Sequence, residues 1–383
     1  MNDRLVQIPK NTIKVGKLAP FPIYDKDEKL LVQAGLELTD TQALLLQKYD
    51  RLFTHDKELI TALMSIDNKA GLQTEDELEE ENASVYKMPT PFVRIKQLEA
   101  DLQCVINGRL HSTDFSATIY RLADRLHVLA KDTPDCTLAT IFFDRQSPDP
   151  VKKSLSVAII CDLIAEALQY NEPDRRALVA AALTMDMGFI YSRANMSNHA
   201  ALSKQLLEEL GVTDSQWLEF VVKHHENNDG SGLPEGLMCD HIPLGAAILS
   251  LVVAYCDQFT GKYASDKKSQ SQALRDFFQD NDPRYKGALK KLLLQVVGCY
   301  PPGKVVILKN KDVGVILRRG TRPDAAQVRC FPGSKGDSSK ASHVRNVDSK
   351  INPIVEVISP EKLSLDMDFE NLWGYGERKV KVS

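Results

Sequence analysis

The alternation of apolar and polar residues predicts a small mixed α/β region near the N-terminus. Short β-like runs cover residues 15–24 and 29–32, and the turn-forming sequence Asp25-Lys26-Asp27 separates them. Apolar residues then recur at helical spacing in residues 39–49 and 57–65. These four short elements predict a module that ends near residue 65.

Helical periodicity dominates the middle of the chain. From residue 91 to about residue 297, apolar residues recur every three or four positions, which places them on one face of a helix. The sequence Asn171-Glu172-Pro173-Asp174 is typical of the end of one helix and the start of the next, and Gly211 stands where a helix C-cap is expected. The helices that this pattern predicts with the clearest limits cover residues 155–170, 176–187, 198–210, 214–225, 243–260 and 285–298.

After Tyr300-Pro301-Pro302-Gly303 the pattern becomes β-like again. Turn residues separate the β-like runs at 305–308, 313–317 and 327–330, which predicts a small β-rich C-terminal piece. Residues 334–342 are rich in Gly, Ser and Lys, a composition typical of a mobile loop.

Together these patterns predict a mainly α protein, a helical bundle with a small mixed α/β N-terminal module and a short β-rich C-terminal piece. We place the module at residues 1–65, an acidic linker at 66–90, the helical domain at 91–300 and the β-rich extension at 301–383. The run from Glu75 to Glu81 is almost wholly acidic, as expected of a solvated linker.

Composition and charge narrow the classes of function. A net charge of −4 over 383 residues gives no electrostatic reason to expect binding to a nucleic-acid polymer or to an anionic membrane. The sequence contains no apolar run long enough to span a bilayer, and its N-terminus lacks the apolar stretch of a signal peptide. The seven cysteines are scattered without a Cys-x-x-Cys pair, which is typical of reduced thiols. We therefore expect a cytoplasmic protein.

The sequence from Val222 to Pro234 carries the strongest chemical signal. His224 and His225 stand together at the predicted end of a helix, and a loop rich in Gly, Asp and Asn follows at once. A purely structural interpretation exists, because histidines interact favourably with a helix C-terminus and Asp229-Gly230 can be a simple turn.

Two residues earlier in the chain favour a metal site instead. Asp186 lies in an otherwise apolar helix end, where an unpaired carboxylate would be costly, and His199 stands at the start of a later helix. Together with His224 and His225 they supply one carboxylate and three imidazoles. Such a donor set suits a borderline transition metal such as iron, manganese, nickel or zinc.

The segment from about residue 150 to 300 resembles the HD-GYP family of cyclic di-GMP phosphodiesterases. Residues 224–234 match the family string His-His-Glu-x-x-Asp-Gly-x-Gly-Tyr-Pro, with Leu233 in place of the tyrosine. Residues 242–249 and 300–306 are similar to the helix that follows this string and to the short β tail of many members. The resemblance implies a bacterial signalling protein with a helical HD fold, whose activity would be metal-assisted hydrolysis of cyclic di-GMP.

The resemblance also implies roles for individual residues. The metal ligands would be Asp186, His199, His224, His225 and Asp257, and catalysis would depend on Asp186, His224 and His225. The residues expected to contact the nucleotide or to shape the loop around it are Lys153, Glu226, Asp229, Gly230, Gly232, Pro234 and Lys262. One or two divalent ions, iron or manganese, are expected, and a site without any ion stays open as an alternative.

The metal site of the family is only partly preserved in this sequence. The family's first histidine aligns with Lys153, and the histidine of its His-Asp dipeptide aligns with Met185. The late aspartate aligns with Val253 without a gap, or with Asp257 if one residue is missing. The lysine after the dipeptide is Phe189. One metal position has therefore lost two or three of its ligands, while the other keeps all four.

Lys153 suggests a physical replacement for the missing metal. An ammonium close to Asp186 would offset the charge of that carboxylate and would preserve the fold and the binding of an anion. It would not generate a hydroxide, because a lysine cannot lower the pKa of a water molecule as a metal ion does. We therefore expect hydrolysis to be weak or absent.

Three functions follow from these observations. The chain is a signalling protein that binds a nucleotide or a partner with weak or no phosphodiesterase activity, or an active phosphodiesterase that produces pGpG or GMP, or a structural helical domain with incidental histidines. The expected ligand is cyclic di-GMP or a related nucleotide. Residues 229–234 could dock another signalling protein or could only close the site, and the sequence indicates no oligomeric state.

Overall fold

The chain divides into two compact units, residues 1–111 and 112–383. The computed structural model describes residues 6–8, 19, 22–26, 29–32, 38, 42, 46, 49, 51–54, 89–107, 114–142, 149–191, 198–258, 276–278, 282–331, 342–358 and 369–375. Several predicted features lie outside the described residues. They are the helix at 57–65, Lys262, and nearly all of the helix at 39–49, of the linker at 66–90 and of the loop at 334–342.

Four short antiparallel strands form the sheet of the first unit. They are β1 (Val6–Gln7), β2 (Ile23–Tyr24), β3 (Leu30–Val32) and β4 (Phe53–Thr54), in the order β1-β4-β2-β3. The core of this unit consists of Ile8, Ala19, Ile23, Val32, Leu38 and Leu46. The described parts of the predicted β-like runs at 15–24 and 29–32 thus include β2 and β3.

One long helix, α1 (Pro91–Ile106), also belongs to the first unit. It begins after Thr90, whose Oγ1 accepts the N–H of Val93 at 3.3 Å, and Pro91 occupies the first helical position, where its missing N–H costs nothing. Val93 packs on the core of the sheet region. The sequence placed this segment in the helical domain, and the predicted domain limits at residues 65, 90 and 300 stay a prediction.

The second unit opens with the helical body. Its helices are α2 (Phe115–Asp132), α3 (Pro134–Thr140), α4 (Pro150–Ala167), α5 (Glu172–Thr184), α6 (Met187–Tyr191), α7 (His199–Glu209), α8 (Ser215–Lys223), α9 (Leu244–Asp257) and α10 (Gly287–Val297). A 3₁₀ turn at Cys239–His241 precedes α9.

Side-chain caps determine where several of these helices begin. Asp114, Asp149, Asn171 and Asp214 each accept a hydrogen bond from a backbone N–H in the first turn of α2, α4, α5 and α8, respectively. The cap explains why α5 starts before the predicted residue 176. Asn171 Oδ1 accepts the N–H of Asp174 at 2.9 Å, so the sequence that ends one helix is itself the start of the next.

Helix α4 lies at the centre of the helical body and contacts α2, α3, α5, α9 and α10. Residues 157–162 are all buried, so apolar side chains surround this helix on nearly every side. A helix with that pattern is stable only inside a protein. Side chains at its N-terminal end are therefore held at fixed positions by the packing around them.

A buried charge network connects α2, α4 and α5. Asp162 of α4 is 1% exposed, and its two oxygens lie 3.2 and 3.1 Å from His127 Nδ1. Arg175 contacts Asp162 at 3.3 Å and Asp124 at 3.1 Å. Each buried charge thus has a partner, as the low dielectric of the interior requires.

The β-rich C-terminal region is a five-stranded antiparallel sheet. Its strands are β5 (Val305–Leu308), β6 (Val313–Arg319), β7 (Ala326–Phe331), β8 (His343–Val347) and β9 (Ile354–Ile358), in the order β8-β7-β6-β5-β9. The sequence predicted the three central strands only. The two edge strands β8 and β9 were missed because most of their residues are not buried, so their sequences lack a clear apolar alternation.

A short last helix, α11 (Phe369–Trp373), packs on this sheet. Leu372 lies in the same core as Val305 and Phe331, and Arg329 Nε donates to the carbonyl oxygen of Leu372 at 2.7 Å. The predicted fold class, mainly α with a small sheet at each end, is confirmed. Among the described residues, no helix is both long enough and apolar enough to cross a bilayer.

The close approach of α8 and α9 generates a stability prediction. A Cβ at Gly245 of α9 would collide with the ring of the buried Phe220 of α8. We expect Gly245→Ala to lower the free energy of unfolding by about 1–3 kcal/mol, because the ring must leave its position in a packed core. Chemical denaturation monitored by circular dichroism measures this change.

Gly287 supplies a matched control. It also lies in the first turn of a helix, but no atom lies within 4 Å of the position that a Cβ would occupy there. Gly287→Ala should be neutral or stabilising by about 0.5 kcal/mol, because it only reduces the freedom of the unfolded chain. Equal destabilisation by both substitutions would show that the contact with Phe220 is not the cause.

Candidate metal centre

Three histidine side chains converge within the helical body. His199 is the first residue of α7, His224 follows the last residue of α8, and His225 comes next. His199 Nε2 lies 3.2 Å from His224 Nε2 and 3.1 Å from His225 Nε2. His199 and His224 are each 1% exposed, so the three nitrogens meet in a largely buried space.

The backbone sets the orientation of His224. Its Nδ1 lies 2.6 Å from the carbonyl oxygen of Val221, an acceptor, so the ring donates its Nδ1–H there. The lone pair of Nε2 then faces the other two histidines. A hydrogen bond of this kind on the outer nitrogen is typical of histidines that bind metals.

Burial holds the imidazoles of His224 and His225 in their neutral form. Burial lowers the pKa of His224 well below its ordinary value, and the neighbouring charges of His225 and His199 act in the same direction. Burial and the adjacent His199 lower the pKa of His225 to about 4. Neutral imidazole nitrogens are ligands that transition metals prefer, so a cluster of three of them fits such an ion.

Asp186 lies beside the histidines at a break between two helices. Its Oδ1 is 3.6 Å from His199 Nε2, and the residue is 4% exposed. The sequence predicted one helix over residues 176–187, but α5 ends at Thr184 and α6 begins at Met187. The break directs the carboxylate of Asp186 into the site.

Lys153 of α4 contacts two carboxylates. Its Nζ lies 3.7 Å from Asp186 Oδ2 and 3.2 Å from Asp257 Oδ1, the latter from the last residue of α9. Burial would lower the pKa of Lys153, but the charges of Asp186 and Asp257 outweigh it and raise the pKa. Val253, the other residue that aligned with the family's late aspartate, is buried in the core of α9.

The loop after the histidines is anchored by Glu226. This buried carboxylate accepts the N–H of Glu235 at 2.7 Å and the N–H of Leu237 at 2.8 Å. Gly232 passes so close to the backbone of Glu226 and Asn227 that a Cβ would collide with them. These contacts show why the loop carries a glutamate and glycines at its particular positions.

The remaining predicted loop residues lie near the surface. Gly230 has a φ of +78°, which favours glycine, and Asp229 is exposed and accepts the N–H of Ser231 at 3.0 Å. Pro234 is also exposed. The structure thus brings together Lys153, Asp186, His199, His224, His225 and Asp257, while Asp229, Gly230, Gly232 and Pro234 shape the loop beside them.

Sequence reasoning missed one residue next to the site. Ser203 of α7 is fully buried and hydrogen-bonds the backbone on both sides of Asp186. A serine inside a helix carries no signal of its own in the sequence. Its position one turn after His199, on the same helix face, is the only hint that the sequence offers.

Comparison with known proteins finds a family match within the helical body. Residues 137–289 match the family model of the HD domain. The chain is 29% identical over 201 residues to the 3′3′-cGAMP-specific phosphodiesterase 3 of Vibrio cholerae, a match that covers 46% of this chain and 44% of that protein. It is 19% identical over 229 residues to the cyclic di-GMP phosphodiesterase PdeB of Borreliella burgdorferi, which covers 55% and 60% of the two chains.

The chain therefore spans about half of the length of the curated relatives that it matches. Among solved structures, it is similar to Bd1817, described as an HDG"Y"P protein from Bdellovibrio bacteriovorus, with 14% sequence identity and a TM-score of 0.46. That match covers 76% of this chain and 98% of the other.

The convergence of the histidines generates a metal-binding prediction. We expect His199→Ala to weaken the binding of Co²⁺ by more than about tenfold, because His199 lies between the other two imidazoles and changes even to the partners of metal ligands have effects of this size. Competition with a chromophoric chelator measures the affinity.

His241→Ala is the matched control, since His241 is exposed and its Nδ1 lies against the carbonyl oxygen of Met238. This variant should bind Co²⁺ as the unmodified protein does. Equal affinities for all three proteins would place the bound metal somewhere other than the histidine cluster.

Proposed function

Because residues 137–289 match the HD domain, we propose that the chain is an HD-GYP-type protein that binds a cyclic dinucleotide at a centre for one divalent metal ion and hydrolyses it weakly or not at all. The proposed ligand is cyclic di-GMP or a close relative. Both curated relatives carry names of phosphodiesterases for such molecules, 3′3′-cGAMP in one case and cyclic di-GMP in the other. Their low identity to this chain leaves the base specificity to experiment.

The proposed metal ligands are His199, His224, His225 and Asp186. Support comes from the three converging imidazole nitrogens and from the carboxylate 3.6 Å away from one of them. Iron and manganese suit this mixture of nitrogen and oxygen donors. When bound, such an ion polarises a phosphoryl oxygen and lowers the pKa of a coordinated water molecule.

The observation that carries the proposal of weak hydrolysis is the position of Lys153. Its ammonium lies between Asp186 and Asp257, where it compensates the charge of both carboxylates. A cation at this position offsets part of the negative charge of the aspartates, but an ammonium has no coordination site for water or phosphate oxygen. The chain thus keeps a cation beside the two carboxylates without the means to activate a second oxygen.

A second candidate function is an active phosphodiesterase with a single metal ion. The observation in its favour is the complete set of three imidazoles with Asp186 beside them. One ion alone can activate a water molecule when its ligands leave a coordination position open. The two functions differ in whether product forms.

We also propose that residues 229–234 form the part of the surface at which a signalling protein could dock. Support comes from Leu233, which is 46% exposed despite its apolar side chain. The internal contacts of Glu226 give this loop a defined shape even though its tip faces solvent.

Incubation of the purified protein with cyclic di-GMP and either Mn²⁺ or Fe²⁺ tests the proposed function directly. We expect calorimetry to show binding and chromatography to show no steady formation of pGpG or GMP, because in the described part of the chain the histidines that could hold a metal ion gather at a single position. Steady turnover that His224→Ala abolishes would establish the active enzyme instead. A folded, metal-loaded protein that does not bind the nucleotide would contradict both functions.

Restoring histidine at positions 153 and 185 tests the role of the ammonium. The variant Lys153→His with Met185→His should raise the metal content from about one to about two ions per chain and should increase turnover, since two ions can hold both oxygens of the reaction. Elemental analysis and the product assay measure the two effects. Lys152→His, one residue away on the same helix, is the control and should change neither.

A further inference from the structure

We propose that Ser203 is a positioning residue of the metal centre. Together with Gly188 and Phe189, it fixes the position of Asp186 relative to His199. Ser203 hydrogen-bonds the backbone on both sides of Asp186, whereas Gly188 contacts the backbone of His199 and Phe189 contacts its ring. The inference rests on the proposed metal centre and says how this chain builds it.

The hydroxyl of Ser203 joins both sides of the helix break that contains Asp186. It donates to the carbonyl oxygen of Met185 at 2.6 Å and accepts the N–H of Gly188 at 2.8 Å. These two backbone groups lie at the end of α5 and at the start of α6, where the helical hydrogen-bond pattern is interrupted. A single buried side chain thus fixes the turn that carries the Asp186 carboxylate.

Ser203 also belongs to the helix that carries His199. The two residues are one turn apart on α7 and therefore lie on the same face of it. Any movement of the Asp186 turn relative to His199 must break one of the hydrogen bonds of Ser203. The 3.6 Å separation between Asp186 Oδ1 and His199 Nε2 is consequently set by a connection outside the ligands themselves.

Gly188 and Phe189 also connect the Asp186 turn to His199. A Cβ at Gly188 would collide with the carbonyl oxygen of His199, so the turn and the first residue of α7 are in direct backbone contact. The ring of Phe189 stacks on the imidazole of His199, with 4.0 Å between ring centroids and 17° between planes. The stack fixes the plane of the imidazole and therefore the direction of its Nε2 lone pair.

The geometry predicts that loss of the Ser203 hydroxyl displaces Asp186 and so weakens metal binding, an effect separate from a loss of protein stability. Removing the hydroxyl of Ser203 frees the Asp186 turn to shift while the three histidines remain in place. Hydrogen-bonding partners of metal ligands typically contribute ten- to hundredfold to metal affinity, because a ligand that moves by a fraction of an ångström binds less well.

The test measures Co²⁺ affinity and the visible absorption spectrum of the bound ion in the full chain. Ser203→Ala should weaken binding roughly ten- to hundredfold and should change the intensity of the cobalt bands, which reports a change in the ligand set. Thr137→Val is the matched control. Thr137 is equally buried, and its hydroxyl lies 3.1 and 2.9 Å from two backbone carbonyl oxygens, far along the chain in α3. This variant should lose stability without altering cobalt affinity or spectrum.

Phe189 provides the second pair of variants, which keeps the test valid should Ser203→Ala fail to fold. Phe189→Leu removes the flat ring that stacks on His199 and should weaken Co²⁺ binding several-fold, whereas Phe189→Tyr keeps the ring and should restore the affinity of the unmodified protein.

Wild-type affinity and spectrum in Phe189→Leu, together with the same result in any folded Ser203→Ala protein, would overturn the positioning role while leaving the metal centre intact. An unmodified protein that binds no Co²⁺ would overturn the proposed metal centre itself, and the positioning role with it. The two failures are therefore distinguishable by the first titration.

Discussion

The burial of Asp186 is the constraint on which the arrangement of the centre depends. An ionised carboxylate at 4% exposure costs several kcal/mol unless positive charge or hydrogen-bond donors compensate it. Lys153 supplies the charge from α4, and His199 of α7 faces the other oxygen. The relative positions of these helices are thus tied to the charge balance of one side chain, and the apolar packing around α4 holds the ammonium in place.

The centre is built from helix ends within an otherwise apolar body. Asp186 lies between the end of α5 and the start of α6, His199 begins α7, and His224 directly follows α8. Helix ends have backbone groups that are not used within the helix, and these groups orient the side chains here. The carbonyl oxygen of Val221 orients His224, and the groups around the break are bound by Ser203. The polar site is therefore compatible with the core because its backbone donors and acceptors are paired.

Charge compensation and catalysis are separable properties in a site of this kind. An ammonium and a metal ion both place positive charge beside Asp186 and Asp257, but only the metal ion activates water. In the proposed function, a lysine at one metal position preserves charge compensation at the buried carboxylate while turnover declines. This separation is the physical basis of the binding role that we propose for a chain similar to proteins named as phosphodiesterases.

The sequence by itself predicted the helical body, the loop with the strongest chemical signal and the candidate metal ligands. Periodicity and caps such as Asn171 act locally, and the string from His224 to Pro234 carries its chemistry in adjacent residues. Only the tertiary structure decided that the carboxylate of Asp257 meets Lys153, because the alignment allowed either Val253 or Asp257 at the position of the family's late aspartate. It also decided the role of Ser203 and the pairing of the edge strands β8 and β9. These features arise from contacts between residues far apart in the chain, which no local pattern records.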